Sequence, residues 1–249
     1  MKSLKNYIQE KLIIKKSKYN YFPETKIELK DIIRQRIEKE GNNVNLNDID
    51  VSNITDMHNL FNGTDFNGDI SEWDVSNVTD MSLMFYSCES FNQNIFSWNV
   101  SNVTDMQGMF YACKSFNQDI STWDVSNVKN MNGMFYICES FNQNISNWDV
   151  SNVTDMSYMF YLCENFNQDI SSWDVSKVTN MGSMFLECKV FNQDISSWDV
   201  SNVTDMSYMF CDCNKFNQDI SQWNVSKVNN TYRMFDYCQI EEKYKPSFK

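Results

Sequence analysis

Eight cysteines, one histidine and 33 acidic residues are the side chains here whose types could hold a metal or move a proton, and their spacing limits what they could do. Seven of the cysteines recur every 25 residues, at Cys88, Cys113, Cys138, Cys163, Cys188, Cys213 and Cys238. Stacked copies would bring their Cα atoms to about 4.8 Å, within reach of a disulfide. Side chains in such a ladder point the same way, however, and each Cys falls among Met and Phe. Buried free thiols are therefore expected, as suits a reducing compartment. Zinc needs four converging ligands. The only histidine is His58 and the only close cysteine pair is Cys211-Asp-Cys213, whose first member takes the slot of Tyr161. No metal ligand is expected from these.

The aspartates also form columns. Asp69, Asp119, Asp169, Asp194 and Asp219 share one slot, Asp74, Asp124, Asp149, Asp174 and Asp199 a second, and Asp80, Asp105, Asp155 and Asp205 a third. Stacked carboxylates repel unless donors, solvent or a cation receive them, which leaves calcium open. Yet Asn replaces Asp at Asn94, Asn144, Asn99, Asn224, Asn130, Asn180 and Asn230. An uncharged substitute points to turn capping, with the charge incidental. The seven tryptophans, Trp73 to Trp223, could stack sugars or bases if exposed, but flanked by Ile and Val they read as core. With one histidine, no phosphate-cradling glycine loop and no copy that breaks pattern to present a nucleophile, no catalytic residue and no cofactor are expected. The chain reads as a non-enzyme.

The element that must position these columns is the repeat itself. Its consensus is Phe-Asn-Gln-Asp-Ile-Ser-Ser-Trp-Asp-Val-Ser-Asn-Val-Thr-Asp-Met-Ser-Tyr-Met-Phe-Tyr-x-Cys-x-x, with full copies starting at Phe66, Phe91, Phe116, Phe141, Phe166, Phe191 and Phe216. A shorter copy precedes them, since Asp50 to Met57 and Phe61 match Asp74 to Met81 and Phe85 at an offset of 24. Trp148 and Val150 are two apart, as in a short strand. Val153, Met156, Met159/Phe160 and Cys163 follow a three-to-four spacing, as in a short helix that Ser151, Asn152 or Thr154 would cap. So short a unit buries its apolar face only by stacking on its neighbours.

Residues 1–49 stand outside the repeat and are expected to form a helical cap. Thr25 and Glu28 have capping-box spacing, Leu29, Ile32, Ile33 and Ile37 share a helical face, and Gly41 suits a C-cap, so a helix is expected over 25–40. A second is expected around 3–16. The repeats fill 50–240, and the charged tail 241–249 would close the far end.

The stretch from Phe141 to Cys163, Phe-Asn-Gln-Asn-Ile-Ser-Asn-Trp-Asp-Val-Ser-Asn-Val-Thr-Asp-Met-Ser-Tyr-Met-Phe-Tyr-Leu-Cys, resembles the repeat of BspA-like leucine-rich-repeat surface proteins, also called the mycoplasma lipoprotein repeat. The resemblance covers about residues 50–240. It implies an α/β repeat solenoid, a right-handed leucine-rich-repeat-like coil with short parallel strands and short helices. It also implies adhesion or protein binding, often in bacteria and their parasites or phages, and no catalytic residues. Unlike the surface members, the chain shows no signal peptide near its start, where Gln9, Glu10 and Lys11 interrupt any apolar run. A soluble, cytoplasmic protein is the expectation.

Charge narrows the partner. Residues 1–49 carry eleven Lys/Arg against seven Asp/Glu, and residues 50–249 carry ten against 26, so an acidic body follows a basic start. Such a body repels phosphate backbones, and no apolar run is long enough to span a bilayer. The expected partner is a protein, bound where the copies disagree: Glu72, Phe96 and Gln222 around the tryptophan, and Tyr158, Tyr208 and Arg233 on the helical half. The primary reading is a protein-interaction scaffold of adhesion type. The alternatives are a structural or self-assembling rod, as monomer or end to end, and a calcium- or surface-binding module using the Asp ladders.

Overall fold

The computed structural model describes residues 18–248, so the helix expected around 3–16 lies outside the described residues. One α-helix, α1, runs Lys26–Glu40. Thr25 caps it by accepting the Glu28 N–H at 3.3 Å, while the Glu28 carboxylate reaches back to the Glu24 N–H. Gly41 ends it at φ 88°, its N–H bonded to the Ile37 carbonyl. Leu29 and Ile33 enter the core of the first coil. A three-residue 3-10 turn, Glu242–Tyr244, is the other helical element described.

The expected α/β solenoid does not form. In place of parallel strands the described residues hold isolated parallel bridges, one per coil, from Asp56–Asp80 to Asp205–Asn230. In place of short helices the chain makes consecutive tight turns. In the copy from Phe141, N–H groups return to the carbonyl three residues back at Trp148, Val153, Met159, Tyr161 and Cys163, and Phe166 does the same where the next copy starts. The apolar spacing that reads as helical is the spacing of these turns, each of which sends one side chain inward.

A helix is excluded there by where the other N–H groups go. Met156, Tyr158, Phe160 and Leu162 donate to the carbonyls of Asn180, Gly182, Met184 and Leu186 on the next coil, at 2.9–3.1 Å. Alternate amides are thus spent between coils, and the i to i−4 ladder of a helix has no donors left. This donor segment, residues 156–162 here, forms the ridge of each coil, and to aim its amides so two of its residues adopt the left-handed region, Tyr158 at φ 59° and Leu162 at φ 56°. Each such non-glycine residue costs on the order of 1 kcal/mol, offset by the inter-coil bonds and the burial they allow.

Inside, the repeats stack by identity. Trp98 and Trp123 lie 6.5 Å apart and 2° from parallel, and Phe110 sits between Phe85 and Phe135 at 5.6 and 5.7 Å. From Trp98 on each indole N–H donates to the isoleucine carbonyl of the preceding coil, as from Trp148 to Ile120 at 3.1 Å, and Trp73 donates to the Leu46 carbonyl at 2.9 Å. No buried side-chain nitrogen or oxygen among the described residues lacks a partner. One break in the copies serves packing: Gly68 stands where later copies have Gln, and a Cβ there would meet the Val44 carbonyl at 2.0 Å.

The two ends differ. At the first, α1 covers Leu60 and Phe61, and Lys30 Nζ donates to the Asn59 carbonyl. At the last, the tail begins a further coil: Ile240 is buried, the Glu241 N–H reaches Asn217 Oδ1, and Ile220 donates to the Tyr244 carbonyl.

Candidate functional site

The turn-capping columns account for the aspartates. Oδ1 accepts the N–H two residues on, as from Ser171 to Asp169 at 2.9 Å, Ser176 to Asp174 at 3.0 Å and Ser157 to Asp155 at 2.8 Å. Asn94, Asn99 and Asn130 make the same bond to Phe96, Ser101 and Asn132 at 3.0–3.2 Å. Hydrogen bonds from the serine hold carboxyls such as Asp169 and Asp174 below the usual range. Among the described residues no group of three or more His, Cys, Asp or Glu converges as a metal site. His58 is held between Ser82 Oγ and the Asn59 side chain.

All eight cysteines are free, and all but Cys238 are buried. The six thiols of the column from Cys88 to Cys213 donate to the phenylalanine carbonyl of the preceding coil, as from Cys138 to Phe110 at 2.9 Å and from Cys188 to Phe160 at 2.8 Å, while Cys211 turns to Asp212 Oδ2 at 3.5 Å. Burial pushes the thiols up, Cys88 to about 11 and Cys113 and Cys188 well above the ordinary thiol range. They are packing groups, and the nucleophilic thiolate form is suppressed.

The surface breaks its regularity on the ridge. One slot reads Leu83, Gly108, Gly133, Tyr158, Ser183, Tyr208 and Arg233 from coil to coil, and all seven residues are left-handed. The two successive glycines open a trough of about 370 Å³ between Leu83 and Tyr158. Its floor is Tyr86, Tyr111 and Tyr136, part of a second run of identical residues in which Tyr86, Tyr111, Tyr136 and Tyr161 stack at 4.5, 4.1 and 4.4 Å. Burial and the neighbouring phenols push the Tyr111 hydroxyl above its ordinary range. Gln107 and Asn132 line the trough with their amides, and no charged residue does.

That geometry decides the chemistry. Because the phenol faces are spent on one another, the floor offers ring edges and hydroxyls, and cation–π capture by the stack is closed. Tyr158 is the exception: tilted 53° from Tyr136 and 44% exposed, it keeps a face toward solvent. An added Cβ at Gly133 meets nothing nearer than 3.7 Å, so the floor has room for a side chain from outside.

The six residues singled out from sequence fall into separate places. Tyr158 walls the trough. Tyr208 packs edge-on to Tyr232 at 5.3 Å, with Arg233 above the Tyr232 ring and 3.5 Å from Asp236. Phe96, 41% exposed, lines a different depression with Trp98, Thr122 and Asp124. Glu72 pairs with Lys18 at 3.1 Å, and Gln222 contacts only its neighbour Ser221 through its side chain. The tyrosine floor and Gly133 were missed. Their signal was present, as four consecutive Tyr in one column beside two consecutive Gly in another.

Stacked, near-identical turn-built coils with a variable outer ridge and an aromatic interior that recurs from copy to copy define a repeat protein. The chain belongs to the repeat family described as "Mycoplasma protein of unknown function, DUF285", which matches residues 29–148 and 135–246. Neither a curated protein nor a solved structure matches it. No helix among the described residues is long and apolar enough to cross a membrane.

Proposed function

We propose that the chain is a non-catalytic protein-interaction scaffold whose binding face is the ridge, centred on the tyrosine-floored trough. The observation that carries this is the pairing of Gly108 and Gly133 between Leu83 and Tyr158 in otherwise uniform coils. A mixed wall of Leu and Tyr over a neutral floor suits an apolar side chain of a partner, with Gln107 and Asn132 placed to meet its backbone. The reading assigns no reaction, since every thiol is buried or half-buried and the Asp and Asn columns are engaged by their own turns.

A photoreactive residue at position 158 tests it, with position 222 as the comparison. A partner crosslinked from 158, and lost when Gly133→Tyr fills the trough, is the expected result. Position 133 tolerates Tyr by the precedent of Tyr158 and Tyr208 at the same φ. Crosslinking from 222 alone would move the binding face, and none from either would remove the scaffold reading.

A further inference from the structure

Every coil but the last hands four ridge amides to the coil after it. In the last such pair Met206, Tyr208, Phe210 and Asp212 donate to Asn230, Tyr232, Met234 and Asp236 at 2.8–3.0 Å. The corresponding N–H groups one coil on belong to Thr231, Arg233, Phe235 and Tyr237, and among the described residues they meet no acceptor. The tail does not reach them. It covers the opposite side of the end, through Ile240 and Tyr244, and sends only Lys245 over the Phe235 ring at 5.4 Å. Around the row Tyr232 is 57% and Tyr237 76% exposed.

An unpaired row of donors at a stack edge is a template for another chain. What fits it is written in the coils before: an Asp/Asn-Met-x-x-Met-Phe ridge whose alternate carbonyls lie one coil away, with a Phe ring to continue the stack that ends at Phe210–Phe235, 5.9 Å apart and 1° from parallel. We propose that the C-terminal edge docks a ridge segment of the same repeat carried by another polypeptide, which completes the coil that the tail begins. The first coil of a second copy does not qualify, because α1 packs over that end against its buried Leu60 and Phe61, tethered by Lys30 to the Asn59 carbonyl. The occupant is a repeat chain whose first coil lacks such a helix. This rests on the open donor row and is independent of the trough.

The test is amide exchange on the full chain, with a synthetic peptide of residues 150–166 as probe and its scrambled form as control. A second sample carries the same segment fused after residue 249 through a flexible linker. Free, the amides of Arg233, Phe235 and Tyr237 are expected to exchange at near-unprotected rates, and those of Tyr208, Phe210 and Asp212 slowly. Both the peptide and the fusion are expected to slow the former by about tenfold or more, and the scrambled peptide to leave them unchanged. A fusion that gives no protection overturns the proposal. So does protection by the fusion but not by the free peptide, or equal protection by the scrambled one.

Discussion

An aspartate that receives the N–H two residues on keeps that bond when asparagine replaces it, and this chain makes the replacement in all three columns. What differs is the response to acid. Asp149, Asp169, Asp174, Asp194, Asp199 and Asp219 have carboxyls held below the ordinary range by hydrogen bonds from the serine two residues on. A depressed native pKa means that the unfolded chain binds more protons in that window. Stability is then full above the unfolded value, about 3.9, and falls as pH drops through it toward the native one. Asp169→Asn is expected to leave the melting temperature near its original value at pH 7 and to lessen the loss at pH 3. A larger loss at pH 3 in the variant would contradict turn capping. The thiols make a second residue-scale test. With burial raising their pKa, native protein at pH 8 should react at Cys238 first and little elsewhere, and denatured protein at all eight. Counting modified cysteines by mass before and after denaturation checks this.

At the scale of the coil, Phe135 is fully buried and packs on Phe141 at 4.0 Å and on Phe110 and Phe160 at 5.7 and 5.8 Å. Phe135→Ala is expected to cost about 3–5 kcal/mol in denaturant unfolding, since rings fixed in register on both sides cannot close the space. Gly68→Gln, which restores the residue of every later copy, is expected to destabilise nonetheless, because the Val44 carbonyl occupies the place of its Cβ. The repeat length, the buried Trp, Met, Phe and Cys columns, α1 and the capping Asp/Asn slots were all legible as patterns of residue type. The helical half was not. A spacing of three to four residues cannot separate a helix from serial turns, since both bury every third or fourth side chain. The difference lies in the backbone, at residues such as Tyr158 and Leu162, whose types give no hint of a left-handed φ. The strand half failed for a related reason: the Asp and Asn turns break the chain every few residues, leaving one bridge per coil where a strand needs several. Of the site, the sequence pointed to Tyr158, but the trough depends on which columns become neighbours, and that required the ridge path.

For the whole molecule, direction follows from the ridge bonds. Its donors all point toward the C-terminal end, where four are open, and its acceptors toward the N-terminal end, where α1 packs its Leu29 and Ile33 into the core of the first coil. Two copies could continue one stack only head to tail, and only if α1 gave way. Leu29 and Ile33 hold it down, at 0% and 3% exposure, together with the ion pair from Lys26 to Asp56 at 2.8 Å. Burying these two side chains contributes on the order of 1.5–3 kcal/mol each, more than an exposed ion pair provides. The intact chain is therefore expected to keep a concentration-independent mass in light scattering. Leu29→Asp places an unpaired charge under the helix and should free it from the first coil while the inner coils, which depend on nearest neighbours, stay folded. With the first coil uncovered, the variant's mass should rise with concentration, and blocking the donor row by the fused 150–166 segment should reverse the rise. Growth of the intact chain, or a variant that stays monomeric with α1 displaced, would show that the helix is not what keeps the stack finite.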